Sequence, residues 1–188
     1  MLETLYPTLY LCLDKYTMIC VLNALTFGLL LFETLRYFFP TFNLIFLRSL
    51  SSTRRRSEKY KSTGFFYYTL SSLVITFLFS KQAAVVGQLV AVYGDLAAAL
   101  VGSSVRSPLI RIDGKSVEGF LACVVVSTAV ALSLMLYVVS VEVENVFYLS
   151  VIIGVSSSLV ELLGSTLIDD NFLMPVVCSF VTDWLLFK

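Results

Sequence analysis

The residues that could do chemistry in this chain are mostly acidic, and one of them stands in an unusual place. Asp95 is set into Val92-Tyr93-Gly94-Asp95-Leu96-Ala97-Ala98-Ala99-Leu100-Val101-Gly102, a run of apolar and small side chains. A charge at the centre of a membrane-grade segment costs about 2.5–3.5 kcal/mol on insertion scales, so such a residue is a functional candidate by default. A second acidic group lies near the C-terminus: Glu161, then Asp169, Asp170 and Asn171. Between the two stands Gly114-Lys115-Ser116-Val117-Glu118. Upstream, residues 48–62 carry Arg48, Arg54, Arg55, Arg56, Lys59 and Lys61 against the single Glu58.

The chain has no histidine, which removes imidazole as general base, proton shuttle or metal ligand. Cys12, Cys20, Cys123 and Cys178 are scattered through apolar runs without C-x-x-C spacing, so they read as small buried side chains rather than a disulfide framework or a zinc site. Carboxylates near phosphate-binding cations suit Mg²⁺, a hard ion that takes oxygen ligands and shares them with substrate phosphates. Phosphoryl transfer asks mainly for positioning, a metal and cations around the moving group. One carboxylate could accept the proton of an attacking hydroxyl. Asp113-Gly114-Lys115-Ser116 resembles the end of a Walker A loop, but the first glycine of that motif would fall on Leu109. A P-loop kinase is therefore excluded.

Each residue also has a plainer reading. Asp95 could pair with a cation on another span, and Glu161 could pair locally. Asp169, Asp170 and Asn171 are ordinary helix N-caps. Lys115 could be a loop cation, and Glu118 is favourable in a first helical turn. The basic run could serve only as a topology signal touching anionic lipid. The joint pattern is what lifts them above these readings.

The elements that position these residues are membrane spans. The composition is 58% hydrophobic and only 14% charged, with a mean hydropathy of +0.90; soluble domains carry about 25% charged residues. Glu3 and Asp14 occupy the place of a basic n-region, so no secretory signal is expected. The expected fold is a single all-α integral membrane domain of about six transmembrane helices, at residues 18–39, 65–80, 83–102, 117–141, 146–164 and 172–187. Residues 1–14, interrupted by Pro7, are expected as a lumenal tail or an interfacial half-helix. The basic run at 48–62 is expected to be cytoplasmic by the positive-inside rule. Alternating the spans from there puts Asp95, Lys115, Glu118, Glu161, Asp169, Asp170 and Asn171 at or near the cytoplasmic face, as one polar site. Gly87, Ala91, Asp95 and Ala99 recur every four residues, a small-residue stripe that lets a helix or a ligand approach closely.

These motifs together resemble the polyprenol kinase family, which includes dolichol kinase, phytol kinase and CTP-dependent diacylglycerol kinase. The resemblance rests on Gly94-Asp95-Leu96-Ala97-Ala98 with Val101-Gly102, on Gly114-Lys115-Ser116-Val117-Glu118-Gly119, on Val160-Glu161, and on Asp169-Asp170-Asn171-Phe172 with Pro175. Upstream, Glu33 with Arg36, Pro40-x-Phe42, Arg56-x-Glu58 and Lys61-x-x-Gly64 with Tyr68 also fit. The Asp-Asp-Asn-Phe ending and the Glu-x-x-Arg…Pro entry look most like CTP-dependent diacylglycerol kinase. The chain departs from the family in lacking the histidine of its N-terminal basic motif.

The resemblance implies transfer of the γ-phosphoryl of CTP to a lipid alcohol, diacylglycerol giving phosphatidate, with Mg²⁺, in the endoplasmic reticulum or nuclear envelope. It implies Asp95 as a metal or catalytic carboxylate, with Lys115 and Glu118 at the matching loop motif and Asp169, Asp170 and Asn171 at the matching C-terminal motif; the individual roles are our own assignment, with Asp95 and Asp170 on Mg²⁺. Glu161 or Asp169 would be the base. Arg55, Arg56, Lys61, Lys115, Glu118 and Asn171 would bind nucleotide or substrate. The partners expected are the lipid alcohol, the nucleotide and the membrane, with no nucleic acid. The alternatives are a phytol or polyprenol kinase, a cytidylyltransferase that makes a CDP-lipid, and a catalytically inactive membrane relative.

Overall fold

The computed structural model describes residues 2–39, 41, 43, 63–105, 111–112, 115–139, 146–163 and 169–187. Seven α-helices run through them: α1 (Leu5–Cys12), α2 (Lys15–Phe38), α3 (Gly64–Leu78), α4 (Lys81–Ser104), α5 (Val117–Leu134), α6 (Val146–Leu163) and α7 (Asp170–Leu186). A 3₁₀ turn at Leu2–Thr4 precedes α1, and a π-helical turn at Met135–Val139 extends α5. Two short strands, β1 (Arg111–Ile112) and β2 (Lys115–Ser116), pair antiparallel just before α5, with Ile112 opposite Lys115.

Four helices are long and apolar enough to cross a membrane: α2, α4, α5 with its π turn, and α6. α3 is apolar but shorter, at 15 residues. The six stretches expected from hydropathy therefore each appear as a helix, four of them with a full membrane-spanning length. The outside of the bundle is apolar, with Phe27, Phe77, Leu121, Val125, Phe147 and Trp184 all exposed. Its inside contains fully buried Ser71, Ser72, Thr76, Ser127, Ser157, Ser158, Ser179 and Thr182. Small polar side chains inside and large apolar ones outside is the arrangement of helices packing in lipid, where burial of apolar surface gives no driving force and close backbone approach does.

Short polar residues start the helices. Asp14 accepts hydrogen bonds from the Thr17 backbone N–H at 2.9 Å and its hydroxyl at 2.6 Å, opening α2. These bonds hold the exposed Asp14 carboxyl below the usual carboxylate range. Thr63, Ser80, Ser116 and Asp169 cap α3, α4, α5 and α7 in the same way.

α4 is the central helix and packs most extensively on α5 and α7. One face of it meets α5 so closely that a Cβ on Gly119 would stand 2.9 Å from the Ala98 carbonyl oxygen. About three turns earlier, the same side of α4 meets α7 at Gly87, where a Cβ would overlap the backbone of Ser179. The stripe expected on α4 is thus split in use. Gly87 and Ala91 are buried, Asp95 faces a pocket, and Ala99 is exposed.

In the stretch 1–14, expected as a tail or an interfacial half-helix, the helix Leu5–Cys12 packs into the bundle instead. Tyr6 and Tyr10 are buried at 3% and 0% exposure, so α1 belongs to the same core as Met18, Leu22, Tyr68, Ile75, Ala84 and Val85. The reason is aromatic packing with partners far along the chain. Tyr6 stacks on Tyr68, with centroids 5.7 Å apart, and its hydroxyl lies 3.0 Å from that of Thr69.

Candidate functional site

A pocket of about 260 Å³, part of it open to solvent, lies where the short helices α3 and α7 begin beside the middle of α4. Glu3, Tyr68, Ala91, Val92, Asp95, Asp170, Asn171, Met174 and Pro175 line it. Asp95 is nine residues short of the end of α4 at Ser104, about 13 Å along the axis at 1.5 Å per residue. It thus projects from helix wall, not from a loop. Its carboxylate makes no hydrogen bond or ion pair with any of the described residues. Most of the other carboxylates in this region do.

Asp170 reaches the pocket from the first turn of α7, where a carboxylate is favoured by the helix dipole. Its Oδ2 lies 3.1 Å from Lys115 Nζ. Lys115 Nζ also lies 3.0 Å from Glu161 Oε1 and donates to the Glu161 backbone carbonyl at the end of α6. One ammonium thus joins the start of α5, the end of α6 and the start of α7. Its burial alone would lower the Lys115 pKa, but the bonds to Glu161 and Asp170 outweigh this and raise it above the usual lysine value. Lys115 is a permanent cation at any working pH.

Asn171 is held from behind. Asp169 Oδ1 accepts from the Asn171 side-chain amide at 2.8 Å and from its backbone N–H at 3.1 Å. Pro175, one turn on, has no N–H to give the Asn171 carbonyl. The Ser71 hydroxyl of α3 lies 3.3 Å from that carbonyl and shares its hydrogen between it and the Tyr68 carbonyl at 2.8 Å. A Cβ on Gly64 would lie 2.9 Å from the Asn171 amide nitrogen, so the start of α3 presses against the same side chain.

The structure therefore brings Asp95, Asp170 and Asn171 to one pocket. It places Lys115 and Glu161 one bond behind Asp170, and Asp169 one bond behind Asn171. Glu161, at 9% side-chain exposure and held by Lys115, does not line the pocket, nor does Asp169. Glu118 sits partly buried in the first turn of α5, away from the lining. Arg55, Arg56 and Lys61 lie outside the described residues, as does most of the basic run. Asn43 and Thr63, the nearest described residues on either side of it, are both tied to one turn of α2. Arg36 pairs with Glu33 at 2.7 Å and donates to Asn43 Oδ1 at 3.2 Å, while Glu33 Oε1 accepts from the Thr63 N–H at 2.9 Å.

Glu3 is the lining residue that sequence reasoning missed. Its only signal there was a charge at the start of an otherwise apolar stretch. Tyr68 was part of the motif set and lines the pocket too.

Among the described residues, no three carboxylate or thiolate side chains gather closely enough to form a metal cage. No protein-family model matches the chain, and neither does any curated protein or solved structure.

Proposed function

We propose that this protein is a membrane lipid kinase that transfers the γ-phosphoryl group of CTP to a lipid alcohol, with diacylglycerol as acceptor and phosphatidate as product. The observation that carries the reading is the pocket itself. Asp95, without a partner among the described residues, faces the same small cavity as Asp170 and Asn171 inside a helical bundle whose exterior is apolar. The motif resemblance names the chemistry, and residues of two of its four motifs, Asp95 and the Asp170–Asn171 pair, line that cavity.

The donor set fits Mg²⁺. Asp95 and Asp170 offer hard carboxylate oxygens and Asn171 an amide oxygen, and Mg²⁺ commonly uses one or two carboxylates with waters and substrate phosphates rather than a closed protein cage. Bound there, the ion would neutralise charge on the transferring phosphoryl group. The chain's own residues do the rest. Lys115 holds the Asp170 carboxylate in place, and Asp169 fixes the Asn171 amide. The lipid hydroxyl oxygen forms the new bond to the γ-phosphorus, the bond from that phosphorus to the β-bridging oxygen breaks, and CDP leaves. Asp95 accepts the hydroxyl proton in this scheme, since Glu161 and Asp169, the bases first expected, are engaged elsewhere. The basic run supplies the phosphate-binding cations, from the cytoplasmic side of the endoplasmic reticulum or nuclear envelope.

The test is label transfer in reconstituted membranes. CTP labelled at the γ or the α phosphate, with γ-labelled ATP in parallel, is offered with diacylglycerol, dolichol and phytol. The reading predicts γ label from CTP in diacylglycerol. The α label in a lipid would establish a cytidylyltransferase instead, and no label from a folded protein would overturn the enzyme reading.

A further inference from the structure

A layer of unbonded polar groups lies one turn deeper in the bundle than the pocket. On α4, Gln88 stands three residues before Ala91, four before Val92 and seven before Asp95, so all four share one helix face. The last three line the pocket. Gln88 is fully buried, and neither its Nε2 nor its Oε1 has a hydrogen-bond partner among the described residues. On the facing wall, α7 lines the pocket with Met174 and Pro175 and carries Ser179 one turn further on. Ser179 lies against α4 at Gly87, the neighbour of Gln88, where a Cβ would overlap its hydroxyl. It is fully buried and unbonded too.

Ser179 leaves a local bond unused. Ser72, Ser150, Ser158 and Thr182 each donate to the carbonyl four residues back in their own helices, whereas the Ser179 hydroxyl has no partner among the described residues. Polar atoms buried without partners are costly, and here the Gln88 amide and the Ser179 hydroxyl stand at one level beneath a cavity.

We propose that the pocket continues inward to a subsite in which Gln88 and Ser179 bind the ester carbonyl of a neutral glycerolipid. This rests on the lipid-kinase reading above and adds to it what selects the acceptor. The amide N–H and the hydroxyl are uncharged donors, and one carbonyl oxygen has two lone pairs to accept from both. A phosphate would enter this level with its charge unpaired. Gln88 and Asp95 are about 10 Å apart along the helix axis, and the Asp95 side chain leans back towards Gln88. A glycerol backbone spans that gap, with its hydroxyl at Asp95 and an ester at Gln88. The pocket, at about 260 Å³, is smaller than the roughly 300–1,000 Å³ usual for small-molecule sites, so a lipid must open it. Met174, the unbranched and flexible side chain of the lining, is the wall that swings aside. Phytol and dolichol have no ester oxygen and would leave both donors unmet, which is how a polar site rejects a lookalike.

The test is equilibrium binding of dioctanoylglycerol to the full-length protein in nanodiscs, against dioctylglycerol, the diether that keeps the hydroxyl and the chains but has no carbonyl. Wild type should bind the diester about tenfold tighter, the scale of one buried hydrogen bond. Gln88→Leu keeps most of the volume and removes both unbonded atoms. It should bring the two lipids within about twofold of each other by weakening the diester alone. Without lipid it should melt higher than wild type, which a misfolded protein would not do. Ser179→Ala should lower the preference by about threefold. With isotope-labelled ester carbonyls, the infrared stretch should fall on binding to wild type and stay at its free value with Gln88→Leu.

Equal binding of diester and diether by wild type would overturn the subsite, the amide then meeting only internal water. A preference that survives in Gln88→Leu would overturn the role of Gln88 and leave the kinase reading standing. The predicted preference and its loss, in a protein that transfers no label to lipid, would support the subsite and overturn the kinase reading.

Discussion

The two ends of the bundle use charge in opposite ways. At the end where α1 meets α2 and α3 meets α4, every described charge is spent on a backbone terminus. Lys15 Nζ donates to the Phe79 carbonyl at 3.1 Å, and Lys81 takes the last carbonyls of α1. Asp14 caps α2, and Asp183 Oδ1 accepts from the Ser80 N–H at 3.0 Å. These are the orphan groups that helix ends leave, each met by the nearest charge. At the pocket end the charges also bond one another, Lys115 holding Glu161 and Asp170 and Arg36 holding Glu33, and Asp95 has no hydrogen-bond or ion-pair partner among the described residues. The first end is closed and structural. The second leaves the Asp95 carboxylate unbonded within a membrane-grade helix, where that is costly.

That contrast can be broken by substitution at either end. The largest effect is expected at Asp95. Asp95→Asn should lower phosphoryl transfer by about a hundredfold or more, the range for loss of a positioned proton acceptor, with the melting temperature unchanged or raised. Lys115→Met comes next. It leaves Glu161 and Asp170 facing each other without their shared cation, and should cost about 2 kcal/mol of stability, less than a fully buried pair because Asp170 is partly exposed. Its pH dependence has a definite sign. Because the folded-state pKa of Lys115 is raised, its stabilisation is fully present up to the ordinary lysine range and is lost only as pH rises through the elevated value. Thermal melts of wild type and Lys115→Met should therefore differ by a constant amount near neutral pH and converge in strong base.

Ser71→Ala should cost about 1 kcal/mol, since it removes the donor offered to the Asn171 carbonyl that Pro175 leaves open. It should also weaken substrate binding more than the equivalent loss elsewhere, because Asn171 lines the pocket. The smallest effect belongs to the closed end. Lys15→Met should cost about 0.5 kcal/mol, typical of an exposed helix-terminus contact, and should leave the transfer rate unchanged. A large loss of transfer in Lys15→Met would erase the distinction between the two ends.

Much of this was legible in the chain. Long apolar runs and short polar caps gave the helices to within a few residues: 18–39 became Lys15–Phe38, and 146–164 became Val146–Leu163. Asp95 was legible because a charge among small apolar residues has few innocent explanations. Three things were hidden. α1 carries Pro7 and no helical period, so its place in the core depends on Tyr6 meeting Tyr68 and Thr69 more than sixty residues away, which no local pattern encodes. Glu3 was hidden with it. The partners of Lys115 lie 46 and 55 residues on, so spacing could mark it as a cation but not show that two carboxylates already hold it. Glu161 and Asp169 were marked as acids by type. Only the fold showed that they brace Lys115 and Asn171 from outside the pocket.

The most direct test of the account compares one variant from each end in the same assay. Transfer from γ-labelled CTP to diacylglycerol is measured in reconstituted membranes for wild type, Asp95→Asn and Asp183→Asn. Both variants remove one negative charge from α4 or its neighbour α7. The account predicts that Asp95→Asn loses transfer while Asp183→Asn keeps it within about twofold, the change expected for a terminal contact remote from the chemistry. Transfer retained in Asp95→Asn, or lost equally in both, would contradict the claim that the pocket end is the working end of this protein.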